Sequence, residues 1–426
     1  MPPVSVPQSL DRAHCEAADQ ADPFAPLRHA FQIPPGVIYL DGNSLGALPV
    51  QVPDRLAQVA RTEWGQGLIR SWNDAGWIDL PRRVGTRIAR LIGAQDNEVI
   101  ATDSTSINLF KLLSAARALR PDRSVILTEA GNFPTDLYIA QALADQGTPG
   151  LEIRRVEREA LRDALDESVA VVMLTQVDYR TGHKLDLAET TAAAHRVGAL
   201  TLWDLAHSAG AFAVDLNAAQ ADFAVGCGYK YLNGGPGAPA FAFVAHRHLA
   251  TVQQPLSGWL GHAAPFAFEP DYRPADGIER LLCGTPPILS MSALDTALDV
   301  FDEAHALGGL AGLGAKAQQL VEVFISGFEG RCAAGGLRLI SPRDRTARGN
   351  QVSLAADDPA RGWALMQALI ARGVIGDFRA PNILRFGFAP LYLRQVDVWD
   401  AVEHLADLID TRAWEDPRWQ HRRAVT

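Results

Sequence analysis

Two strand-like segments of this sequence end on residues that could do chemistry together. ALTLWDLAHSAG places Asp204 at the end of an apolar run, with His207 three residues on. ADFAVGCGYKYLNGGPG places Tyr229 and Lys230 after the next such run. Asp204 and Lys230 stand 26 residues apart, which suits two adjacent strand ends joined by one crossover. In open α/β sheets ligands bind beyond the carboxyl ends of the strands, so both side chains are expected at one site. A lysine able to form a Schiff base, beside an acid that keeps a pyridine nitrogen protonated, is the pair that pyridoxal phosphate requires. A semi-buried cleft suits such a lysine, which cannot there be solvated as a free ammonium. Either residue alone reads as an ordinary loop lysine or strand-end aspartate; their spacing points to the cofactor.

A phosphate-bearing cofactor also needs an anion site. EVIATDSTSINLFK runs from a strand through Ser104 and Thr105 into a helix. Hydroxyls and free N–H groups at a helix start bind phosphate well, although plain N-capping uses the same residue types. The segment's place early in the sheet favours the phosphate. In GNFPTDLYIAQ, Phe133 could stack on a flat ring and Asp136 could orient polar groups; a core aromatic and a capping aspartate are the structural alternatives. The loop Asn233–Gly237, NGGPG, lacks G-x-G-x-x-G spacing and no helix clearly follows it, so a nicotinamide enzyme fits poorly. Its glycines suit tight turns and close backbone approach beside Lys230.

The elements that must position these residues alternate. EVIAT, SVILTEA, LEIRRV, VAVVMLT, ALTLWD, ADFAVG and AFAFVA read as strands. INLFKLLSAARAL, TDLYIAQALADQG and LAETTAAAHRVG read as helices between them. Several strands are apolar on both faces, as in a mostly parallel sheet covered by helices, so the fold class is α/β. From about Ser290 the pattern changes. A long helical stretch, ALDTALDVFDEAHALGGLAGLGAKAQQLVEVFISGFE, precedes short strands in NQVSLAA, GVIGDFR and NILRFGF, which predicts a smaller α+β domain. The expected division is an N-terminal segment over 1–65 that packs on the small domain or on a partner subunit, a large domain over 66–289 and a small one over 290–426.

Bulk properties bound the function. The 426 residues suffice for two or three domains, with ordinary hydrophobic and charged fractions of 48% and 21%. A formal net charge of -10 repels phosphate backbones, so nucleic acid is not an expected partner. Cys15, Cys227, Cys283 and Cys332 form no C-x-x-C pair, and neither a metal site nor a disulfide framework is expected. No apolar run has the length of a membrane span, and the N-terminus lacks the order of a signal peptide, so a cytoplasmic protein is expected.

Together, YLDGNSLG, SWNDAGW, NFPTDLY, WDLAHSAGA, GCGYKYLNGGPG and LSGWLGH resemble the kynureninases, fold-type-I pyridoxal-phosphate enzymes related to class V aminotransferases. The resemblance runs from Tyr39 to the final helices, and GYKYLNGGPG is its most specific element. It implies hydrolysis of L-kynurenine to anthranilate and L-alanine, in tryptophan breakdown. It also implies that Lys230 bonds the cofactor, that Asp204 pairs with the pyridinium nitrogen, and that Phe133 stacks on the ring with His207 near its 3-oxygen. Ser104, Thr105 and Tyr229 would hold the phosphate, with Asp136 and Thr175 completing the cofactor shell. Tyr229 is the candidate proton relay. Trp259 and Thr285 match positions that reach the cofactor from a neighbouring subunit, which implies a homodimer. Arg385 matches the residue that grips the substrate α-carboxylate, a role for which an arginine fork is suited. Asn43 and Ser44, in the DGNSLG loop, are expected at the substrate as part of a lid. Trp72 and Thr285 stand where members that prefer the 3-hydroxy substrate have His and Asn, which implies a preference for unhydroxylated L-kynurenine.

Two alternatives differ in kind. A cysteine desulfurase shares the Asp, His and Lys arrangement but needs a nucleophilic cysteine late in the chain, where Cys332 is the candidate. A catalytically silent binding protein would have no need to keep Lys230, Asp204 and Arg385 together.

Overall fold

Each of the seven apolar runs is a strand of one sheet. The computed structural model describes residues 10–145, 150–332 and 335–421. The strands are β1 (Val99–Ala101), β2 (Val125–Glu129), β3 (Glu152–Val156), β4 (Val169–Thr175), β5 (Leu200–Asp204), β6 (Phe223–Cys227) and β7 (Ala240–Val244). Their spatial order is β1-β7-β6-β5-β4-β2-β3. The pairs among β2 to β6 are parallel, and β7 runs antiparallel to both its neighbours. Parallel neighbours need a crossover: α2 (Pro134–Asp145) joins β2 to β3 and α3 (Leu187–Arg196) joins β4 to β5, while α1 (Thr105–Ala118) carries the chain from the edge strand β1 to β2. No such crossover separates β6 from β7: the chain turns back through the glycine-rich loop, which is why β7 is reversed.

Central strands β4, β5 and β6 are buried along their whole length, as doubly covered strands are. Leu109, Leu112 and Leu113 of α1 pack on Ile126, Val171, Met173, Leu202 and Phe223, all with essentially no exposed surface. Burial of each such side chain contributes roughly 1.5–3 kcal/mol, so this layer holds the strand ends at a fixed relative height.

By packing, residues 51–178 and 184–299 form one unit, and residues 1–50, 179–183 and 300–426 form the other. The second unit contains α4 (Gly309–Arg331), β8 (Leu337–Leu339), β9 (Gln351–Ala356), α5 (Pro359–Ala371), β10 (Asp377–Arg379), β11 (Ile383–Gly387) and α6 (Gln395–Asp410). Its four strands form an antiparallel sheet in the order β10-β11-β9-β8. GVIGDFR, expected as one strand, divides at Gly376. Val374 and Ile375 pair in parallel with Ile38 and Tyr39, and the chain then enters β10. The expected long helical stretch is broken as well, into Ile288–Ala297, Asp299–Ala306 and α4. Gly308, between the last two, and Gly309, the first residue of α4, have φ of 126° and 61°, backbone that a side chain would strain. Among the described residues no helix is long and apolar enough to cross a membrane.

Candidate active site

β5 ends on Asp204, and β6 leads through Gly228 and Tyr229 to Lys230, so the expected pair does share one end of the sheet. Lys230 Nζ lies 3.0 Å from His207 Nε2. It is 5.9 Å from the ring centre of Phe133 and 5.8 Å from that of Tyr229. The lysine is half-buried, as a covalently bound cofactor requires. The backbone under it tolerates nothing larger than glycine: a Cβ on Gly228 would fall 2.4 Å from the Pro239 carbonyl oxygen.

Two carboxylates are buried at this end, Asp204 at 4% exposure and Asp136, in the first turn of α2, at 1%. Burial pushes both carboxyls up, and the charge of Asp204 pushes Asp136 further, while Lys230 opposes the shift in both. Asp204 Oδ1 accepts from the Ala206 N–H at 2.7 Å. Thr175, the last residue of β4, places Oγ1 2.6 Å from Asn132 Oδ1 and 3.2 Å from Asp136 Oδ2. Asp136 Oδ1 is buried without a hydrogen-bond partner. Carboxylates held in this state are completed by a cationic N–H donor, and a protonated pyridine ring in front of Lys230 is such a donor. These residues fit pyridoxal phosphate.

The start of α1 suits the phosphate. Ser104 is its N-cap, and its hydroxyl accepts from the Ile107 N–H over a long 3.4 Å. Thr105 opens the first turn. The adjacent carboxylate of Asp103 is neutralised by the fully buried ammonium of Lys111, which also donates to the Leu281 carbonyl at 2.6 Å. An anion at the helix start therefore meets free amides without a bare carboxylate beside them.

Asn132 was not expected from the sequence. Its Oδ1 accepts the Phe133 N–H at 2.7 Å and its Nδ2 donates to Thr128 Oγ1 at 3.2 Å, so it links β2, β4 and the aromatic residue. Its place at the head of the NFPTDLY motif was the available signal.

In the other unit, Arg385 stands in β11, 1% exposed. Its Nη1 donates to the Tyr179 carbonyl at 2.9 Å, and its Nη2 donates to Ser44 Oγ at 2.6 Å and pairs with Asp377. Asn43 is fully buried, with Nδ2 3.4 Å from Gln351 Oε1. Gly387 makes room for it, since a Cβ there would fall 2.0 Å from Asn43 Oδ1. The DGNSLG loop is thus built around Arg385; Asp41, Tyr179 and Asp377 are members of this cluster that sequence reasoning missed.

The remaining expected residues do not join the Lys230 cluster by any observed contact. Trp72 is half-buried and packs edge-on against Trp77, with ring centres 5.8 Å apart. Trp259, 43% exposed, lies against Phe266 and Phe268, and Thr285 is exposed on the loop before helix Ile288–Ala297.

Comparison with known proteins identifies the family. The family model for the kynureninase C-terminal domain matches residues 313–405. The kynureninase of Burkholderia mallei (strain SAVP1) is 55% identical, over 97% of this chain and 99% of that protein. The kynureninase of Pseudomonas fluorescens is 52% identical over the same shares. Among solved structures, a mutant of C-DES with glycine covalently linked to the PLP-cofactor superimposes with a TM-score of 0.76 at 20% identity. That match covers 89% of this chain and 99% of the other, a likeness of fold. With two relatives above 50% identity, each matched over nearly its whole length, this chain belongs to the kynureninase family of pyridoxal-phosphate-dependent hydrolases.

Proposed function

We propose that this chain hydrolyses the Cβ–Cγ bond of L-kynurenine, giving anthranilate and L-alanine. The observation that carries the reading is Lys230 Nζ at 3.0 Å from His207, among the buried carboxylates Asp204 and Asp136. Pyridoxal phosphate, when bound, supplies the electron sink that makes a bond two carbons from the amine breakable. Lys230 holds the cofactor and moves the proton at the substrate Cα. Asp204, supported by Asp136, keeps the pyridine nitrogen protonated. Phe133 orients the ring, and Ser104 and Thr105 hold the phosphate. Tyr229 relays protons at the aryl ketone and at Cβ, while Arg385 and Ser44 bind the α-carboxylate.

The same reading makes the protein a cytoplasmic homodimer, in which Trp259 and Thr285 serve the neighbouring subunit's site; the exposure of both side chains supports the shared site. It also makes unhydroxylated L-kynurenine the preferred substrate, through Trp72 and Thr285. A desulfurase reading lacks its nucleophile. Cys332 is 1% exposed at the end of α4, and burial pushes its thiol up to about 12.

The test is anthranilate fluorescence from L-kynurenine, with 3-hydroxykynurenine and L-cysteine run in parallel. Anthranilate release by the yellow wild-type protein, lost in Lys230→Ala with the fold intact, is the expected result. Near-normal turnover by Lys230→Ala, or sulfur release from L-cysteine in place of anthranilate, would overturn the proposal.

A further inference from the structure

The 41–44 loop and strand β10 bring two carboxylates to one guanidinium. Asp377 stands directly across from Arg385 in the β10–β11 ladder and pairs with it. It also lies 2.7 Å from Arg379 Nε. Asp41 is the second carboxylate. Its Oδ1 is 4.0 Å from Arg385 Nη2, too far for a hydrogen bond, and it is buried with no hydrogen-bond partner. Two arginines and two carboxylates leave the cluster neutral as it stands.

A carboxylate docking on Arg385 adds a third negative charge where water is largely excluded and charges interact strongly. Asp377 already pairs with both arginines. Asp41 has an oxygen that bonds to nothing, and a proton placed there cancels the added charge without moving a side chain. We infer that Asp41 is a positioning residue of the carboxylate site, taking up a proton when an anionic carboxylate docks on Arg385. This inference rests on Arg385 being the substrate grip proposed above.

The groups facing Asp41 are Asp377 and Arg379 from β10, Arg385 from β11, and Ser44 and Tyr39 from its own segment. Burial first, and then the charge of Asp377, push the Asp41 carboxyl up to about 7; Ser44, Arg385 and Arg379 pull the other way. The proton is therefore at hand near neutrality. Above that pH Asp41 is ionised and docking must recruit a proton, so KM for an α-carboxylate substrate rises with pH, by up to about tenfold per unit.

The experiment measures KM and kcat for L-kynurenine between about pH 6 and 9 with the holoenzymes of wild type, Asp41→Asn and Arg385→Gln. In wild type KM should climb above neutrality. In Asp41→Asn, which is neutral at every pH, that climb should be missing. If Arg385→Gln raises KM but Asp41→Asn follows the wild-type pH profile, the inference fails and the grip stands. If Arg385→Gln leaves KM unchanged, the grip itself fails and the inference with it. A second measurement needs no variant: calorimetric binding of 3-benzoylpropionate, a carboxylate without the amine, to wild type in phosphate and in Tris at about pH 8. Uptake approaching about one proton per site supports the inference, and no uptake overturns it.

Discussion

Asp222 is the residue on which the strand ends depend from behind. It precedes β6, and its carboxylate takes the Thr201 N–H of β5 at 2.8 Å, with the Thr201 hydroxyl at 3.1 Å. His195 Nε2 and His248 Nε2 each lie 2.8 Å away, and Arg247 donates at 2.7 Å. The side chain is 2% exposed. Asp222→Ala would leave these donors without an acceptor. Arg247 and His195, 39% and 34% exposed, can turn to water and add little. The Thr201 N–H and His248 cannot easily do so, and two orphaned buried donors cost about 1–3 kcal/mol each. We therefore expect a loss of roughly 2–6 kcal/mol at neutral pH, read from urea unfolding followed by circular dichroism. The pH dependence gives a sharper reading. Burial alone would raise the Asp222 carboxyl, but the hydrogen bonds from His195 and His248 and the charge of Arg247 outweigh it and hold the group well below its ordinary value. A carboxyl lowered by folding stabilises the protein fully above its unfolded pKa of about 4, and that stabilisation is lost as pH falls toward the folded value. The gap between wild type and Asp222→Asn should thus be widest near neutrality and close below about pH 4. A variant as stable as wild type at pH 7, or a gap that does not shrink on acidification, would refute the reasoning.

Three further outcomes follow from the site. Tyr229→Phe should lower kcat at least about 100-fold with little change in KM, and an unchanged kcat would remove Tyr229 as the proton relay. Asn132→Ala deletes the acceptor of the Phe133 N–H and the partner of Thr175, so cofactor affinity measured by equilibrium dialysis should fall about tenfold or more. Gly228→Ala must displace the lysine loop from the Pro239 carbonyl; its absorbance spectrum should lack lysine-bonded cofactor, and a normal spectrum would contradict the steric argument.

Much of the large unit was legible because its signals are local. An apolar run of five residues ending in a polar one marks both a buried strand and its exit, and Asp204 and Lys230 were found that way. The direction of β7 was less legible, since periodicity does not record which way a strand points; the absence of a helix after NGGPG was the only clue. Asn132 carries no local signal beyond its place in NFPTDLY, and its role shows only where β4 brings Thr175 beside it. Asp41 and Asp377 were harder still. They come together through pairing between stretches more than 300 residues apart, and nothing in DGNSLG or GVIGDFR alone announces a charge cluster. GVIGDFR also hid a break, because both halves are extended and only their partners differ.

The pairing of Ile38 and Tyr39 with Val374 and Ile375 has a consequence for how the chain is made. Synthesis proceeds from the N-terminus, and elements with local partners fold as they emerge. The strands that carry Asp204 and Lys230 have all their sheet neighbours by residue 244. The segment holding Asp41, Asn43 and Ser44 must wait until residues 374–387 leave the ribosome before it has a partner strand. During translation the cofactor-binding half is thus complete while the carboxylate grip has yet to form, and the N-terminal stretch waits with its edge unpaired. Chaperones have reason to hold that stretch, and truncations near the C-terminus should release it.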